Sequence, residues 1–503
     1  MSEKREHGRR EIVKKVNTAA WTAAGLAAAV VSAGAGLLFT AALNHLGMLP
    51  TKYLMPLLII LWVVIGVVCL LQFIRPMRVP SKVLAVILVL VLAAGSFVLG
   101  TMIDFLNTAS DVTVSVDTMQ VYVLIDDPAE TINDAQDYEF GILTTLGRAN
   151  TDEALETIEG ELDTELSTTS YVSMLELAQA LLDGEVQAIL VNSAYLNIVD
   201  EDDNLADFAD QVRVLASYDI ERQLEIAVSS GSDAEEEETE EETVIDADNM
   251  SSFVVYISGN DASGTLKSTG RSDVNILMAV NPDTHTILLV NTPRDYYVEL
   301  AGIGEYDKLT HAGIYGVDVS MNTLGNLYDV DVEYYARMNF TGFVEIIDAL
   351  GGITVTSEYA FSTGSYDFVE GENTLDGEAA LAFARERHAF ASGDRQRGIN
   401  QMAVITAVIN KLASPAILTG YLDIMDAASG SFETNFTSDE IAELVKFQLS
   451  YGGGWTVETI SADGTGGYSS VYSAQSSSLY VMYPDDSTVE AVKEALQTVL
   501  NGE

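Results

Sequence analysis

The 503-residue chain contains few cysteines and few basic residues. Cys69 is its only cysteine, so no disulfide can form within one chain. Lysine and arginine number 25 against 75 aspartates and glutamates, which gives a formal net charge of -50. Such a surface repels nucleic acid and other anionic polymers unless a basic pocket or Mg²⁺ intervenes. The composition therefore predicts no nucleic-acid partner, and it makes any local cluster of arginines a candidate anion site.

Three long apolar segments lie near the N-terminus, at residues 18–43, 53–74 and 83–105. Each has about the 20 residues needed to cross a bilayer, and none contains lysine or arginine. The first is rich in alanine and glycine and could be read as a cleaved signal peptide, but its apolar stretch is longer than is usual for one. The sequence predicts a three-helix membrane anchor over residues 17–106.

Basic residues flank these segments unevenly. Those before the first segment or between the second and third are Lys4, Arg5, Arg9, Arg10, Lys14, Lys15, Arg75, Arg78 and Lys82. The loop between the first and second segments has only Lys52. By the positive-inside rule, residues 1–16 are predicted to be cytoplasmic and residues from 107 onward extracellular. An exported chain without disulfides is typical of a bacterial cell membrane.

Two folded regions follow the anchor. Residues 107–230 alternate strand-like and helical patterns, which predicts a small α/β accessory domain that serves as a spacer or binds a partner. Residues 231–249 include a nearly unbroken glutamate run, and its self-repulsion predicts an extended acidic linker. The run lacks the spaced ligands of a calcium loop. Residues 250–503 mix strands and helices, which predicts a three-layer α/β/α domain.

Hydrophobic patterns and turn signals also predict individual elements. In the accessory domain the predicted strands are 112–116, 121–125, 188–191 and 212–216, and the predicted helices are 153–162 and 172–182. In the last domain the predicted strands are 253–257, 274–280 and 286–291, and the predicted helices are 317–327, 340–350, 377–384 and 398–412. Thr437 and Glu440 form a capping-box pattern for a helix that ends near Leu449, and Ser487 is predicted to cap the last helix.

Charged residues collect at the strand ends of the last domain. Asp261 follows the first strand, Arg271 and Asp273 precede the second, and Arg294 follows the third. Mg²⁺ usually takes one or two protein carboxylates, with water and phosphate completing its shell. The two aspartates are therefore a reasonable Mg²⁺ site, although Asp273 could equally cap a turn.

Further candidates lie on the later helices. Arg385 and Arg387 are two residues apart and would point to different sides of a helix, so both can contact one ligand only if the chain leaves the helix there. Arg397 and Gln401 share one helix face, and Asp394 lies just before them. Guanidinium groups bind phosphate oxygens in a bidentate way. The set predicts a phosphate or pyrophosphate site, although pairing with surface carboxylates would explain any one arginine.

Lys308 is a further candidate phosphate contact, and His311 is either a proton carrier or a structural histidine. The sequence contains no Gly-x-Ser-x-Gly elbow and no exported cysteine, which favours direct, metal-assisted transfer over a covalent intermediate. Arginines and Mg²⁺ would stabilise the departing phosphate, and Asp273 or Asp261 could also accept a proton from the acceptor hydroxyl.

The motifs of residues 253–412 resemble those of the LytR-CpsA-Psr cell-wall glycopolymer ligases. The matching stretches are RSD at 271–273, TPRD at 292–295, DKLTHA at 307–312, DALGG at 348–352, LDGEAALAFARER at 375–387 and GD at 393–394. The membrane anchor and the accessory domain also resemble longer members of that family.

The resemblance implies a set of roles. Asp261 and Asp273 are expected to bind Mg²⁺, or Mn²⁺ with the same ligands. The residues expected around the pyrophosphate of a polyprenyl-linked glycan are Arg271, Arg294, Arg385, Arg387, Arg397 and Gln401. An apolar tunnel between sheet and helices is expected to hold the lipid. The chain departs from the family pattern at Asn400, where an arginine is common, and Arg395 is a candidate replacement.

We therefore expect a membrane-anchored, extracellular phosphotransferase that attaches a teichoic-acid-type or capsule-type polymer to peptidoglycan and releases polyprenyl phosphate. The expected catalytic residues are Asp273, Arg294, Arg385 and Arg387, and the expected substrate-binding residues are Arg271, Lys308, Asp394, Arg397 and Gln401. Two alternatives stay open. One is a non-catalytic polyprenyl-pyrophosphate binder that regulates the envelope, and the other is a pyrophosphatase that uses water as the acceptor.

Overall fold

The computed structural model describes residues 2–503 with gaps, and for residues 2–18 it describes only the backbone. The gaps are residues 111, 145, 200, 202–204, 206, 227–244, 248, 261–265, 267–268, 415–423, 425–426, 428–429 and 476–477. The predicted glutamate run of the linker and Asp261 lie outside the described residues. The chain divides into two compact units: residues 1–108, 243–249 and 437–453 form the first, and residues 109–242, 250–436 and 454–503 form the second.

Helices occur along the whole chain. They are α1 (Ser2–Leu46), α2 (Thr51–Leu71), α3 (Arg78–Ala109), α4 (Arg148–Leu162), α5 (Met174–Leu182), α6 (Leu196–Val199), α7 (Phe208–Gln211), α8 (Leu309–Tyr315), α9 (Val317–Tyr328), α10 (Phe340–Ala349), α11 (Gly377–Arg385), α12 (Asp394–Leu412), α13 (Ser438–Tyr451) and α14 (Asp486–Asn501).

Among the described residues, strands lie only in the second unit. They are β1 (Val114–Leu124), β2 (Glu139–Leu143), β3 (Ser167–Tyr171), β4 (Ala188–Asn192), β5 (Val212–Gln223), β6 (Phe253–Asn260), β7 (Val274–Asn281), β8 (Thr286–Asn291), β9 (Tyr297–Glu299), β10 (Tyr306–Lys308), β11 (Tyr334–Asn339), β12 (Ile353–Ser357), β13 (Phe361–Ser362), β14 (Asp367–Phe368), β15 (Gly371–Leu375), β16 (Phe432–Thr434), β17 (Thr456–Ser461), β18 (Gly464–Ser470) and β19 (Ser478–Pro484).

The first unit is built around three apolar helices near the N-terminus. The spans long and apolar enough to cross a membrane are Ala19–Leu46, Thr51–Leu71 and Arg75–Ala109, which confirms the three predicted segments. Small residues let α1 pack closely on its neighbours. A Cβ added at Gly95 would lie 2.7 Å from Cε2 of Phe39, and one at Gly36 would overlap Ile65.

Helix α13 belongs to this first unit. The predicted capping box is confirmed, because the Thr437 hydroxyl accepts from the Glu440 backbone while the Glu440 carboxylate accepts from the Thr437 backbone. Near its other end, the ammonium of Lys52 donates to the carbonyl oxygen of Ser450 at 2.8 Å.

In the second unit, residues 114–223 form a five-stranded sheet of order β3-β2-β4-β1-β5. Ile189 and Val191 share a core with α5, whereas Ala188 and Leu190 share one with α4. Because alternate residues of a strand face opposite sides, the two helices cover opposite faces. The predicted strands 112–116 and 121–125 are one continuous strand, β1. Strands β2 and β3 were not predicted, since exposed β3 reads Ser-Thr-Thr-Ser-Tyr and carries no apolar alternation.

The main sheet has six strands in the order β16-β11-β6-β7-β8-β17. Strand β11 runs parallel to β6 and β17 runs parallel to β8, while the other pairs are antiparallel. Side chains of α9 and α14 share a core with β6, β7 and β8. The predicted mixed α/β class is confirmed, and the three-layer arrangement and the separate accessory domain stay predictions.

Three predicted helix starts are wrong. Helix α4 begins at Arg148 and not at residue 153. Asp485 caps α14, because its carboxylate accepts from the backbone N–H of Ser487 at 2.9 Å, so Ser487 itself lies inside the helix. Helix α12 begins at Asp394 and not at Gly398. The charged first turn of α12 carries no apolar residue, so a search for an apolar face places the start one turn too late.

Candidate functional site

A polar cavity of about 690 Å³ lies in the second unit. The predicted site residues that line it are Arg271, Asp273, Arg294, Arg385, Arg387, Arg397 and Gln401. The structure therefore brings together residues that are up to 130 positions apart in the sequence. Lys308 and Asp394 are not among the lining residues. The lining also includes groups that the sequence did not single out, among them Thr363, Tyr366, Glu378 and His388.

The pairing of two strands explains why Asp273 and Arg294 meet. Strands β7 and β8 are antiparallel, with Ile276 opposite Asn291, so the start of β7 lies beside the end of β8. Asp273 immediately precedes the first strand and Arg294 follows the second. The guanidinium of Arg294 consequently donates to the Asp273 carboxylate at 2.7 Å.

Asp273 and Arg294 each stabilise the charged form of the other. Burial acts to raise the pKa of Asp273, but the positive charges of Arg294, Arg271 and Arg397 outweigh it, and the pKa is lowered. Burial likewise acts to lower the pKa of Arg294, but Asp273 and Asp295 outweigh it and raise that pKa. Both groups therefore stay ionised at neutral pH, and the carboxylate is a weak base.

Two arginines reach the cavity from the C-terminal end of α11, one within the helix and one just after it. Arg385 is its last residue, and Glu386 then adopts extended backbone angles (φ −66°, ψ 128°). The chain therefore leaves the helix between Arg385 and Arg387, as the sequence requires if both contact one ligand. The guanidinium carbon of Arg385 lies 4.5 Å from the centre of the Phe340 ring, which favours a cation–π contact.

The start of α11 is also tightly defined. The carboxylate of Asp376 accepts from the backbone N–H of Ala379 at 2.9 Å and so caps the helix. A Cβ added at Gly377 would overlap the backbone of Val344, so only glycine allows this close approach to α10. The Asp-Gly-Glu-Ala stretch of the motif thus fixes where α11 begins.

Helix α12 contributes Arg397 and Gln401. A guanidinium nitrogen of Arg397 lies 2.5 Å from the Asp394 carboxylate, so Asp394 contacts a lining residue and not the cavity. Burial lowers the pKa of Arg397, with Asp394 opposing the shift and Arg294 adding to it. Because arginine is effectively always protonated in proteins, Arg397 still carries its charge at neutral pH.

Asn400 and Arg395 lie outside the cavity lining. The amide of Asn400 donates to the carbonyl oxygen of Phe383 at 3.2 Å, which joins α12 to α11. The half-exposed guanidinium of Arg395 pairs with Asp463 at 2.6 Å. In this structure Arg395 therefore does not replace the arginine common at position 400.

Lys308 and His311 form a buried charged cluster. The ammonium of Lys308 lies 2.7 Å from the carboxylate of Glu201 and 3.3 Å from that of Asp295. The ring of His311 contacts Asp307 at 2.7 Å through Nδ1 and Glu201 at 3.2 Å through Nε2. Burial acts to lower the pKa of His311, but Asp307 and Glu201 outweigh it and raise the pKa to about 9. His311 is thus a buried cation, which favours its structural role over that of a proton carrier.

Glu201 is the contact that sequence reasoning missed. It lies in the acidic run Asp-Glu-Asp-Asp at residues 200–203, where no pattern distinguishes one carboxylate from the next. Burial acts to raise its pKa, but His311 and Lys308 outweigh it and the pKa is lowered. Its pairing with two motif residues could be found only from the tertiary structure.

The cavity lining fits a Mg²⁺ ion that takes few protein ligands. Among the described residues no group of three or more histidine, cysteine, aspartate or glutamate side chains could hold a metal, so a cage made only of protein ligands is not present there. Mg²⁺ usually keeps several waters and takes one or two carboxylates together with substrate phosphates. Asp273, beside the arginines, would be such a carboxylate, and the second predicted ligand, Asp261, lies outside the described residues.

Comparison with known proteins agrees with these motifs. The model of the LytR_cpsA_psr family matches residues 221–498. The polyisoprenyl-teichoic acid–peptidoglycan teichoic acid transferase TagU of Bacillus licheniformis is 38% identical over 204 residues, which cover 40% of this chain and 66% of TagU. TagU of Bacillus subtilis strain 168 is 38% identical over 193 residues, covering 38% of this chain and 62% of that protein.

The chain thus spans slightly less than two thirds of the length of these relatives. The crystal structure of B. subtilis TagV covers 50% of this chain and 98% of TagV, with 28% identity and a TM-score of 0.42. Because the family model matches more than half of the sequence, the chain belongs to the LytR_cpsA_psr family.

Proposed function

We propose that the chain is a phosphotransferase that moves a teichoic-acid-type glycopolymer from a polyprenyl-pyrophosphate carrier onto peptidoglycan. The observation that carries the proposal is the cavity, which five arginines line in a protein with a net charge of -50. A pyrophosphate is the kind of ligand that so many convergent guanidinium groups neutralise. The transferase names of the relatives, at 38% identity, support glycopolymer transfer.

The proposed reaction is a direct displacement at phosphorus. A sugar hydroxyl of peptidoglycan attacks the phosphorus that bears the glycan, and the bond from that phosphorus to the bridging oxygen breaks. Polyprenyl phosphate leaves with the electron pair of that bond, and the hydroxyl proton passes to solvent. The arginines stabilise the charge that develops on the leaving phosphate and on the transferred group.

Asp273 is proposed to hold Mg²⁺ together with Asp261. Bound Mg²⁺ would neutralise pyrophosphate oxygens and polarise the phosphorus. The low pKa of Asp273 suits an ionised metal ligand better than a general base. Arg294 donates to the same carboxylate and so holds it in place at the cavity wall.

The membrane arrangement belongs to the same proposal. The basic residues around the three apolar helices support a cytoplasmic location for residues 1–16 and a location outside the cell membrane for residues from 107 onward. The lipid of the carrier would lie in an apolar tunnel between the sheet and the helices of a three-layer catalytic domain. Capsule-type polymers are a second class of glycan that this transfer would attach.

The test uses the full-length protein in detergent or nanodiscs with Mg²⁺, a polyprenyl-pyrophosphate glycan and peptidoglycan oligomers. Mass spectrometry should detect glycan joined to peptidoglycan through a phosphodiester. Arg294→Ala should reduce the product at least about a hundredfold, because it removes a cavity arginine near the reacting phosphates. Arg395→Ala, which removes an arginine outside the cavity, should leave the product unchanged.

Two results would reject the proposal. Binding of the lipid without any conjugate would favour the non-catalytic binder, and release of soluble glycan phosphate would favour the pyrophosphatase. Equal loss of product in both arginine variants would show that the effect is not specific to the cavity.

A further inference from the structure

Glu201 lies outside residues 221–498, which match the family model, yet it contacts three basic residues inside them. One carboxylate oxygen of Glu201 lies 2.7 Å from the ammonium of Lys308. The other lies 3.2 Å from Nε2 of His311 and 3.5 Å from a guanidinium nitrogen of Arg271. Of these three, only Arg271 lines the cavity.

Lys308 and His311 hold the carboxylate firmly. The side chain of Lys308 is 7% exposed and that of His311 is fully buried, so both contacts are shielded from solvent. Each cation also has a second carboxylate, Asp295 for Lys308 and Asp307 for His311. These contacts fix the position of Glu201 independently of the cavity.

Glu201 and a neighbouring carbonyl in turn hold Arg271. The same guanidinium nitrogen that faces Glu201 also donates to the carbonyl oxygen of Asn197 at 3.3 Å. Both partners come from the chain before the matched family region. Arg271 thus lines the cavity and also contacts Asn197 and Glu201.

We infer that Glu201 is a positioning residue for the anion site, and that the region before the family domain completes that site. Lys308 and His311 fix the carboxylate, and the carboxylate holds the guanidinium of Arg271 at the cavity wall. The inference rests on the proposed function only in taking the cavity to be a pyrophosphate site.

The local charges predict the direction in which Glu201→Gln changes the affinity for pyrophosphate. When Glu201 is replaced by glutamine, Lys308 keeps Asp295 and His311 keeps Asp307, so each of these two cations still has one carboxylate partner. The substitution removes the carboxylate that holds the guanidinium of Arg271. An arginine that must be ordered when the ligand binds contributes less to the affinity. We expect weaker binding of a pyrophosphate, although simple competition between anions would predict tighter binding.

The test measures binding of inorganic pyrophosphate with MgCl₂ to the full-length protein by isothermal titration calorimetry. Glu201→Gln should raise the dissociation constant about fivefold, and Arg271→Ala should raise it at least as much. In the double variant Glu201→Gln/Arg271→Ala, the first change should add nothing, because Glu201 acts through Arg271. Lys308→Met should resemble Glu201→Gln, and Glu185→Gln, which changes an exposed acid of the same region, should bind as the wild type does.

Several outcomes would overturn the inference. Tighter binding by Glu201→Gln would make Glu201 a competitor of the ligand, and an equal loss in the Arg271→Ala background would make its role generally structural. Absence of binding by the wild type would reject both this inference and the pyrophosphate site. If pyrophosphate binds and the effects of Glu201→Gln and Arg271→Ala depend on each other as expected, but no glycopolymer is transferred, only the proposed function would be rejected. Thermal unfolding of each variant checks that the fold is intact.

Discussion

At the scale of single residues, carboxylates and guanidinium groups control each other's charge. Asp273 is held ionised by Arg294 at 2.7 Å, and Arg294 is held charged by Asp273 and Asp295. A pyrophosphate would enter a cavity whose cations are already ordered, which lowers the cost of binding it. Removal of one partner would leave the other buried without its main counter-charge.

The buried His311 provides a test of this charge pattern. Its folded-state pKa of about 9 lies above the value near 6.5 expected in the unfolded chain. A raised pKa contributes stability that is fully present below about pH 6.5 and is lost as the pH rises through about 9. His311→Gln should therefore lower the thermal midpoint by several degrees at pH 6 and by less at pH 10.

The comparison with His311→Gln separates His311 from other titrating groups, because those groups change the midpoints of both proteins. His388→Gln, which alters an exposed histidine, is the matched control. If the thermal midpoints of wild type and His311→Gln differed equally at pH 6 and pH 10, the proposal that His311 is protonated in the folded protein would be contradicted.

At the scale of elements, a helix cap and a close contact with the backbone of α10 fix the position of α11. The Asp376 cap and the contact of Gly377 with the backbone of Val344 fix one end of the helix. Arg385 lies at the other end, and the extended Glu386 turns Arg387 toward the same cavity. A nine-residue helix owes its stability mainly to its ends and its packing. Loss of the N-terminal cap should therefore also disturb Arg385 at the other end.

The Asp376 cap can be tested directly. Asp376→Ala should destabilise the second unit by about 1 kcal/mol, because a backbone N–H loses its acceptor. The same change should also weaken pyrophosphate binding, since Arg385 depends on an intact helix. Asp376→Ser keeps a capping oxygen and should restore most of the stability. Equal losses for alanine and serine in thermal unfolding would show that the carboxylate does not act as a cap.

Local sequence signals predicted most of the described helices and the strands β1 and β4–β8, but not β2, β3 or β9–β19. The end of α11 between Arg385 and Arg387 followed from the rule that residues two apart on a helix diverge, and the Thr437–Glu440 box was visible as a pattern. Strand β3 and the true cap of α14 were missed, because an exposed polar strand has no apolar period and Asp485 and Ser487 are both good caps. The contacts of Glu201 could not be predicted, since they depend on the tertiary structure and on no local sequence pattern.

At the scale of the whole molecule, an apolar anchor and an acidic second unit share one chain. The three helices are long and apolar enough to cross a membrane, as expected for segments surrounded by lipid. The arginines of the cavity are among only 25 basic residues. In the proposed arrangement, the anchor keeps the anion site on the same face of the membrane as its lipid-linked substrate.

Cysteine labelling tests the proposed topology. With Cys69→Ser as background, Glu503→Cys should react with a membrane-impermeant maleimide on intact cells. Ser2→Cys should react only after the cells are opened, because the basic N-terminus is expected in the cytoplasm. Labelling of Ser2→Cys on intact cells would reverse the proposed orientation.

The most direct test of the central claim follows a labelled phosphorus. A polyprenyl-pyrophosphate glycan would carry ³²P at the phosphate next to the sugar, and the full-length protein would be supplied with Mg²⁺ and peptidoglycan. We expect the label to appear in peptidoglycan together with the glycan, while unlabelled polyprenyl phosphate is released. Label that stays on the lipid, or that appears only on soluble glycan phosphate, would contradict transfer to peptidoglycan.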